Sequence, residues 1–257
     1  MRVALAEAVR ALDAGATGVL HAIYASDSRD LCDAENVLLY NVGPANFAAA
    51  APVGLRFERS YDVPDAPNGH SSDLVHYHRY WIAPLSGGLA NRRRGATVAA
   101  WSSARCGALS PEPKPGPVWY AIKKADRDMR GEIGSGEFGL TVTARGPAGH
   151  APNAARLVKP LFDGIISAFH AYSGPPILAE LSERIGRALE VEPTEVLALL
   201  TDESSGALDS RAVVRLHGLS GVAWNPADER CVAGELRIEA DSTATEWELA
   251  GELFVVE

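Results

Sequence analysis

The feature that most constrains this chain is the apolar segment 157–170, in which polar residues recur at helical spacing. Lys159 and Asp163 lie four residues apart, and Ser167 and His170 continue the same stripe of an α-helix. Nearly every other residue is apolar, which is typical of a helix buried over most of its circumference. A buried lysine and aspartate are costly unless they pair, bind a ligand or face a cleft. The segment therefore predicts either a structural Lys159–Asp163 ion pair or a cleft that carries chemistry.

The composition is that of an ordinary globular protein, since 47% of the 257 residues are hydrophobic and 22% are charged. No apolar run approaches the length of a membrane span. Glu7 and Asp13 interrupt the apolar face near the N-terminus, which does not resemble a signal peptide. The three cysteines are odd in number and form no CxxC pair, which favours a reducing compartment. We therefore expect a cytoplasmic protein that does not contact the membrane.

The charge balance argues against tight non-specific binding of nucleic acid, although it does not exclude such binding. The chain has 24 basic and 33 acidic residues, which gives a formal net charge of −9. Non-specific binding depends on neutralisation of phosphates by lysine and arginine. The run Asn91–Arg94 concentrates positive charge in the middle of the chain. A solvated loop is the favoured interpretation of that run.

Strand-like and helix-like patterns are intermixed along the chain, which predicts an α/β or α+β fold with mixed sheets and packed helices. Apolar residues alternate with polar ones, or run continuously, in several short segments. A helix-like apolar run over 37–42 follows the first of them, and the long apolar helix follows the sixth. Strands are predicted over 18–24, 55–61, 74–82, 97–101, 118–123 and 138–144, and again from 232 and from 247.

Four prolines in the eight residues 110–117 predict a stiff linker between two α/β units, 1–110 and 111–257. The second unit carries an inserted helical hairpin over about 176–201. A shift of 120 residues places 19–42 over 139–162 without a gap, with a strand, a polar loop and an apolar helix in the same order. This repeat predicts two tandem copies of one strand–helix unit.

Acidic residues and one lysine supply the parts of a Mg²⁺ site, because this ion prefers hard oxygen ligands and a lysine can steady a phosphate or the attacking water. Lys159 and Asp163 lie on the apolar helix, and Asp228 and Glu229 lie in a turn before a strand. Asp33 and Glu35 form a pair, two residues apart, in the first unit. The predicted catalytic residues are Lys159, Asp163, Asp228 and Glu229, and the predicted metal ligands are Asp228, Glu229, Asp33 and Glu35.

These short motifs resemble those of RusA-type Holliday-junction resolvases, in which D-x-D-N-L-x-K-P-x-x-D precedes G-V-x-x-D-D-x-x-V. The first motif is matched by Leu157-Val-Lys159-Pro-Leu-Phe-Asp163-Gly, and its acidic start by Asp33-Ala-Glu35-Asn36. The second is matched by Gly221-Val-Ala-Trp and by Asp228-Glu229-Arg-Cys-Val232. The resemblance covers well under half of the chain. It implies a dimeric, Mg²⁺-dependent endonuclease that cuts four-way DNA junctions, with Mg²⁺ as cofactor and branched DNA as partner.

Neither half of the chain has the complete set of residues that the resemblance requires. Asn153 and Ala155 occupy the places of the first two acids in the second half. In the first half the acids are present, but Leu39 occupies the place of the lysine and no D-D turn follows. The resemblance therefore implies a fused pseudo-dimer with incomplete sites and weak or absent cleavage.

A composite site is the alternative arrangement, in which Asp33 and Glu35 of the first half join Lys159 and Asp228 of the second. It departs from the expectation that each subunit of the family carries its own set. Two functions follow from these observations. The first is a nucleic-acid-processing protein with an incomplete metal site. The second is a non-catalytic binding or assembly protein, with another protein as partner, that keeps the nuclease-like scaffold.

Overall fold

The computed structural model describes residues 2–28, 32–65, 76–109, 113–149 and 152–257. Its α-helices are α1 (Arg2–Arg10), α2 (Pro115–Lys124), α3 (Ala154–Ala168), α4 (Leu178–Leu189) and α5 (Pro193–Leu200). Its strands are β1 (Gly18–Ser26), β2 (Gly54–Ser60), β3 (His76–Pro84), β4 (Arg94–Gly107), β5 (Arg127–Met129), β6 (Phe138–Pro147), β7 (Val214–His217), β8 (Gly221–Trp224), β9 (Cys231–Asp241) and β10 (Trp247–Val256). Short helical turns span Asn36–Tyr40, Pro44–Phe47 and Asp228–Arg230.

Eight of these strands form one mixed sheet in the order β3-β1-β2-β9-β6-β10-β4-β5, and β7 pairs with β8 in a separate hairpin. Parallel pairs (β1 with β2, β6 with β9) and antiparallel pairs occur in the same sheet. The expectation of a mixed sheet with packed helices is therefore confirmed, and the fold is α+β. Among the described residues, no helix has both the length and the apolar character needed to cross a membrane.

The helices α2 and α3 cover one face of the sheet and enclose the main core. Leu161, Phe162 and Ile165 of α3 are fully buried in this core. Gly164 lets α2 approach closely, because a Cβ atom there would lie 2.6 Å from the carbonyl oxygen of Pro115. Most of the apolar segment 157–170 thus lies in a buried helix, as its pattern predicts.

The predicted strand over 118–123 is wrong, because these residues lie within the helix α2. Pro115 is at the first turn of this helix, where its missing N–H has no helical partner to lose. Val118, Trp119 and Ile122 are all buried. A helix buried to this extent presents a short continuous apolar run, which the periodicity of the sequence does not distinguish from a buried strand.

The residue range of the predicted helical hairpin contains α4 and α5. The strand β4 precedes the Pro-rich segment but pairs with β10, so the sheet interleaves strands from both sides of residue 110. The division into units 1–110 and 111–257 stays a prediction. Residues 110–112 of the Pro-rich segment lie outside the described ranges.

The six consecutive strands from β3 to β10 in the sheet have the topology of a two-fold repeat. In each half a strand leads into a helical segment, then into a parallel strand on its inner side, and finally into an antiparallel strand on its outer side. The first half is β1, β2 and β3, and the second is β6, β9 and β10. The two inner strands, β2 and β9, are antiparallel neighbours at the centre of the sheet. This arrangement is that expected of an approximate two-fold axis normal to the sheet between β2 and β9.

The register of the strands repeats as well. Leu20 of β1 pairs with Leu55 of β2, and Leu140, 120 residues after Leu20, pairs with Gly234 of β9. Gly234 and Leu55 are equivalent by the two-fold axis that the β2–β9 pairing defines, because that ladder is centred on the pair Arg56 and Glu235. The strand register thus agrees with the 120-residue shift that the sequence shows.

An ion pair lies on this axis. Arg56 is fully buried and its Nη2 lies 3.0 Å from Glu235 Oε1. The same guanidinium donates hydrogen bonds to the carbonyl oxygens of Pro84 and Leu85. A buried guanidinium requires acceptors on several sides, and the two carbonyl oxygens supply them within the first half. The contact with Glu235 of β9 ties the two halves of the sheet together.

We expect Arg56→Met to lower the free energy of unfolding by about 2 kcal/mol, because it leaves the carbonyl oxygens of Pro84 and Leu85 without their guanidinium donor and leaves Glu235 with Arg237 as its remaining ion-pair partner. Arg145→Met is the matched control, since Arg145 pairs with Glu239 in the same sheet while both side chains are 48% exposed. That exposed pair should contribute less than about 1 kcal/mol. Urea unfolding followed by tryptophan fluorescence measures both, and equal losses would contradict the prediction.

Candidate metal centre

Four carboxylates surround the ammonium group of Lys159. Its Nζ lies 2.8 Å from Asp33 Oδ2 and 2.8 Å from Asp228 Oδ2. It also lies 3.1 Å from Glu35 Oε1 and 3.3 Å from Asp163 Oδ1. We call these five residues the acidic cluster. Three separate chain segments supply it, one from the first half of the fold and two from the second.

The first segment follows β1. Asp33 caps the short helical turn after this strand, because its Oδ1 accepts a hydrogen bond from the backbone N–H of Asn36 at 3.0 Å. Leu38 and Leu39 of the turn are fully buried and hold it against the sheet. This anchoring directs Glu35, which is only 2% exposed, into the molecule beside Asp33.

The second segment is α3, where a proline stabilises the contact between the halves. Pro160 has no N–H, so the carbonyl of Arg156 loses its usual partner within the helix. Tyr40 donates a hydrogen bond to that carbonyl at 3.3 Å. The turn after β1 is therefore tied to α3 one turn away from Lys159. Asp163 follows Lys159 on the same face, as the helical spacing predicts.

The third segment is the turn Asp228–Arg230, which leads into β9. Asp228 lies in the acidic cluster, and its Oδ1 also accepts the N–H of Glu229 at 3.1 Å. The side chain of Glu229, which we predicted as a catalytic residue and metal ligand, lies elsewhere. Its Oε1 is 3.3 Å from Arg211 Nη1. The structure thus brings together every predicted site residue except Glu229.

The cluster holds more negative charge than one ammonium group balances. Burial, together with the neighbouring carboxylates, raises the pKa values of Asp33 and Glu35, that of Glu35 strongly. Burial also raises the pKa of Asp163, to about 7. Burial acts to raise the pKa of Asp228 too, but the hydrogen-bonded Lys159 lowers it overall. Burial opposes the charge on Lys159, yet the four carboxylates raise its pKa.

The donors in the cluster fit a divalent cation. Asp33, Glu35 and Asp228 each offer one oxygen within 4.8 Å of the other two. In an octahedral Mg²⁺ site with bonds of about 2.1 Å, ligand oxygens lie roughly 3.0 to 4.2 Å apart. Glu35 Oε2 is buried and has no hydrogen-bond partner among the described residues. An unpaired buried carboxylate oxygen is costly, and a bound cation would satisfy it.

The cluster opens onto two neighbouring grooves. One has a volume of about 530 Å³ and contains Lys159, Asp163, Tyr40 and Arg156 in its lining. The other, of about 460 Å³, lies between the Pro-rich segment and α4 and also reaches Asp163. Lys159 and Asp163 therefore form an ion pair and also lie at a cleft, so both arrangements that the apolar helix allows are present.

Two other features of the sequence have structural partners. Arg92 and Arg94 of the basic run contact Glu137 and Glu252, respectively. A cavity of about 730 Å³ near Arg92 also lies at the carboxyl ends of β1 and β2, and no residue of the acidic cluster is in its described lining. Its volume exceeds that of either groove, but the chemistry of the acidic cluster is the stronger indication of function.

None of the protein-family models, curated proteins or solved structures compared with this chain matches it. The geometry of the acidic cluster therefore carries the assignment of the site. Tyr40 and Arg156 belong to its surroundings although the sequence analysis did not select them. The position of Pro160 inside an apolar helix is the signal that could have indicated them, since it leaves one carbonyl in need of a donor.

We expect Lys159→Met to lower the free energy of unfolding by roughly 2–4 kcal/mol at pH 8 in the presence of EDTA. The substitution keeps the length of the side chain but removes the only cation among four carboxylates. Urea unfolding measures the loss. A loss of less than about 0.5 kcal/mol would mean that the cluster is solvated and does not depend on Lys159.

The raised pKa of Asp163 predicts how stability depends on pH. Because the pKa rises from 3.8 to about 7 on folding, the folded protein holds this proton more tightly than the unfolded chain. The corresponding stabilisation is complete below the unfolded pKa and is lost as the pH rises to about 7. In EDTA, Asp163→Asn should therefore lose less stability than the wild type between pH 4 and pH 7, as measured by urea unfolding. Parallel profiles would contradict the assignment.

Proposed function

We propose that this chain is a divalent-metal-dependent phosphodiester hydrolase that processes nucleic acid, of the kind that RusA-type resolvases represent. Mg²⁺ is the proposed cofactor and branched DNA the proposed substrate. The observation that carries the proposal is the convergence of Asp33, Glu35 and Asp228 on one point beside Lys159. The resemblance supplies the substrate class, and the geometry supports the metal-dependent chemistry.

The composite arrangement supports the proposal because the first half supplies the two acids that the second half lacks. Asn153 and Ala155, which replace two acids in the second half, are not members of the acidic cluster. Asp33 and Glu35 of the first half take the corresponding places beside Lys159. A full set of carboxylates and a lysine is thus present once in the chain. The expectation of weak activity rested on the missing acids of the second half, so it no longer applies to this site.

In the proposed reaction Asp33, Glu35 and Asp228 hold the metal. A bound divalent cation would polarise a phosphoryl oxygen and lower the pKa of a coordinated water. Lys159, released from some of its carboxylate partners, can neutralise negative charge on the phosphate. Asp163 lies where both grooves meet and can hold a proton near neutral pH, because its pKa is raised to about 7.

The net charge of −9 is compatible with a substrate that is held by the site and by few other contacts. Non-specific affinity for DNA scales with the number of neutralised phosphates. We therefore expect recognition to depend on the grooves beside α3 and on the metal. The proposal includes a cytoplasmic location, which is supported by the three cysteines, since all of them are free thiols.

The second candidate function is a non-catalytic binding or assembly protein with a protein partner. The ion pairs of Lys159 favour it, because an ammonium group with four carboxylate neighbours can act as a structural link between the two halves. Removal of that link then affects stability alone. The two candidates differ in what a divalent cation does to the protein.

Mn²⁺ titration followed by assay of a four-way DNA junction tests the proposal. We expect Mn²⁺ to raise the melting temperature of the wild type and to support cleavage of the junction. Asp33→Asn combined with Glu35→Gln should abolish both effects, because it removes two of the three ligands. Lys159→Met should still bind Mn²⁺, since the cation replaces the lost ammonium charge, but its cleavage rate should fall by at least about tenfold.

Glu229→Gln is the control for this experiment. Glu229 is next to Asp228 in the chain but its side chain contacts Arg211, so the substitution should leave Mn²⁺ binding and cleavage unchanged. A wild-type protein that neither binds Mn²⁺ nor cleaves the junction would contradict the proposed hydrolase. It would leave the structural role of Lys159 as the interpretation.

A further inference from the structure

The two-fold axis of the sheet relates the acidic cluster to a second set of positions at the opposite end of the β2–β9 pair. The 120-residue shift places Asn153 and Ala155 at the positions of Asp33 and Glu35. Asn153 caps its helix as Asp33 caps its turn, because its Oδ1 accepts the N–H of Ala155 at 3.0 Å. Both halves therefore have a side-chain cap at the start of the helical segment, but Asn153 and Ala155 carry no carboxylate.

The positions equivalent to Lys159 and Asp163 have lost their charges as well. Leu39 takes the place of Lys159 and Gly43 that of Asp163. Leu39 is fully buried in the hydrophobic core. A metal ion or a phosphate group could occupy this position only if the buried Leu39 side chain moved out into solvent, which would expose apolar surface.

The last member, Asp228, corresponds to Ala49. Each lies five residues before an equivalent strand residue, Ala233 or Gly54. All five positions related to the acidic cluster are therefore uncharged. We call them the second set: Asn153, Ala155, Leu39, Gly43 and Ala49.

Hydrogen bonds between the halves close this end of the β2–β9 pair. Asn153 Nδ2 donates to the carbonyl of Pro44 at 2.9 Å. The N–H of Ala154 donates to the carbonyl of Ala51 at 3.4 Å. In the acidic cluster the equivalent contacts between the halves are ion pairs to Lys159. Leu39 and Ala155 of the second set are buried and Asn153 is hydrogen-bonded, whereas Ala49 is exposed and Gly43 lines the same groove as Lys159 and Asp163. The second set therefore differs from the acidic cluster in its lack of charge.

We infer that this chain is a fused pseudo-dimer that cuts one strand per binding event and so nicks its substrate. The inference rests on the proposed function. A two-fold symmetric protein with two equal sites addresses two strands related by the same symmetry. One populated site hydrolyses one phosphodiester. A water oxygen bonds to phosphorus, one ester P–O bond breaks, and the proton of the water passes to the leaving oxygen.

Metal stoichiometry tests the inference without an activity readout. Isothermal titration of the full chain with Mn²⁺ should show that Asp33→Asn combined with Glu35→Gln abolishes all specific binding. Asn153→Ser should bind Mn²⁺ as the wild type does, because serine keeps the helix cap and the second set holds no metal. Retention of about half of the bound Mn²⁺ by the double variant would overturn the inference.

The products from a closed circular plasmid that carries an extruded inverted repeat provide the second test. We expect nicked circles to accumulate first, with linear plasmid formed only by later, independent events. Linear plasmid as the first product would overturn the inference and leave the proposed hydrolase standing. Bound Mn²⁺ without cleavage of any strand would overturn both.

Discussion

The antiparallel pairing of β2 with β9 is the interaction on which both the sheet and the site depend. It joins two three-strand units edge to edge, and the buried Arg56–Glu235 ion pair lies at its centre. Because β2 and β9 are antiparallel, the carboxyl end of one lies beside the amino end of the other. That geometry brings the turn after β1, which carries Asp33, close to the turn before β9, which carries Asp228. Without this pairing the carboxylates of the two halves would not converge beside Lys159.

The acidic cluster and the second set show that symmetry-related positions of one sheet can differ in charge. Cluster residues affect stability through charge, whereas in the second set Leu39 and Ala155 contribute through burial and Asn153 through hydrogen bonds. Leu39 adds apolar burial where Lys159 requires four counter-charges. Replacement of a charged site by apolar residues is often neutral or stabilising. The acidic cluster is therefore the costlier of the two arrangements, and this cost is why we propose a function for it.

The sequence was most reliable where one physical pattern dominates. Alternation and apolar runs located β1, β2, β6, β9 and β10, and the 3.6-residue period located the buried helix α3. The helix α2 was mistaken for a strand because its apolar residues form a short run. The stripe of Lys159 and Asp163 indicated a special site, since charges on a buried helix require partners. Glu229 carries a carboxylate like its neighbour Asp228, so the sequence pattern did not separate the two residues. Its side chain contacts Arg211 and not the acidic cluster.

The sequence by itself determined the buried helix with its charged stripe, the mixed class of the fold and the 120-residue repeat, because each follows from local periodicity or from spacing along the chain. Only the tertiary structure decided which carboxylates meet. The partners of Lys159 lie up to 126 residues away in the chain, and no local pattern encodes a distance of that kind. The pairing of β2 with β9 sets it, since strand register fixes which side chains lie together at each end of the sheet. The single composite site is therefore a property of the assembled sheet.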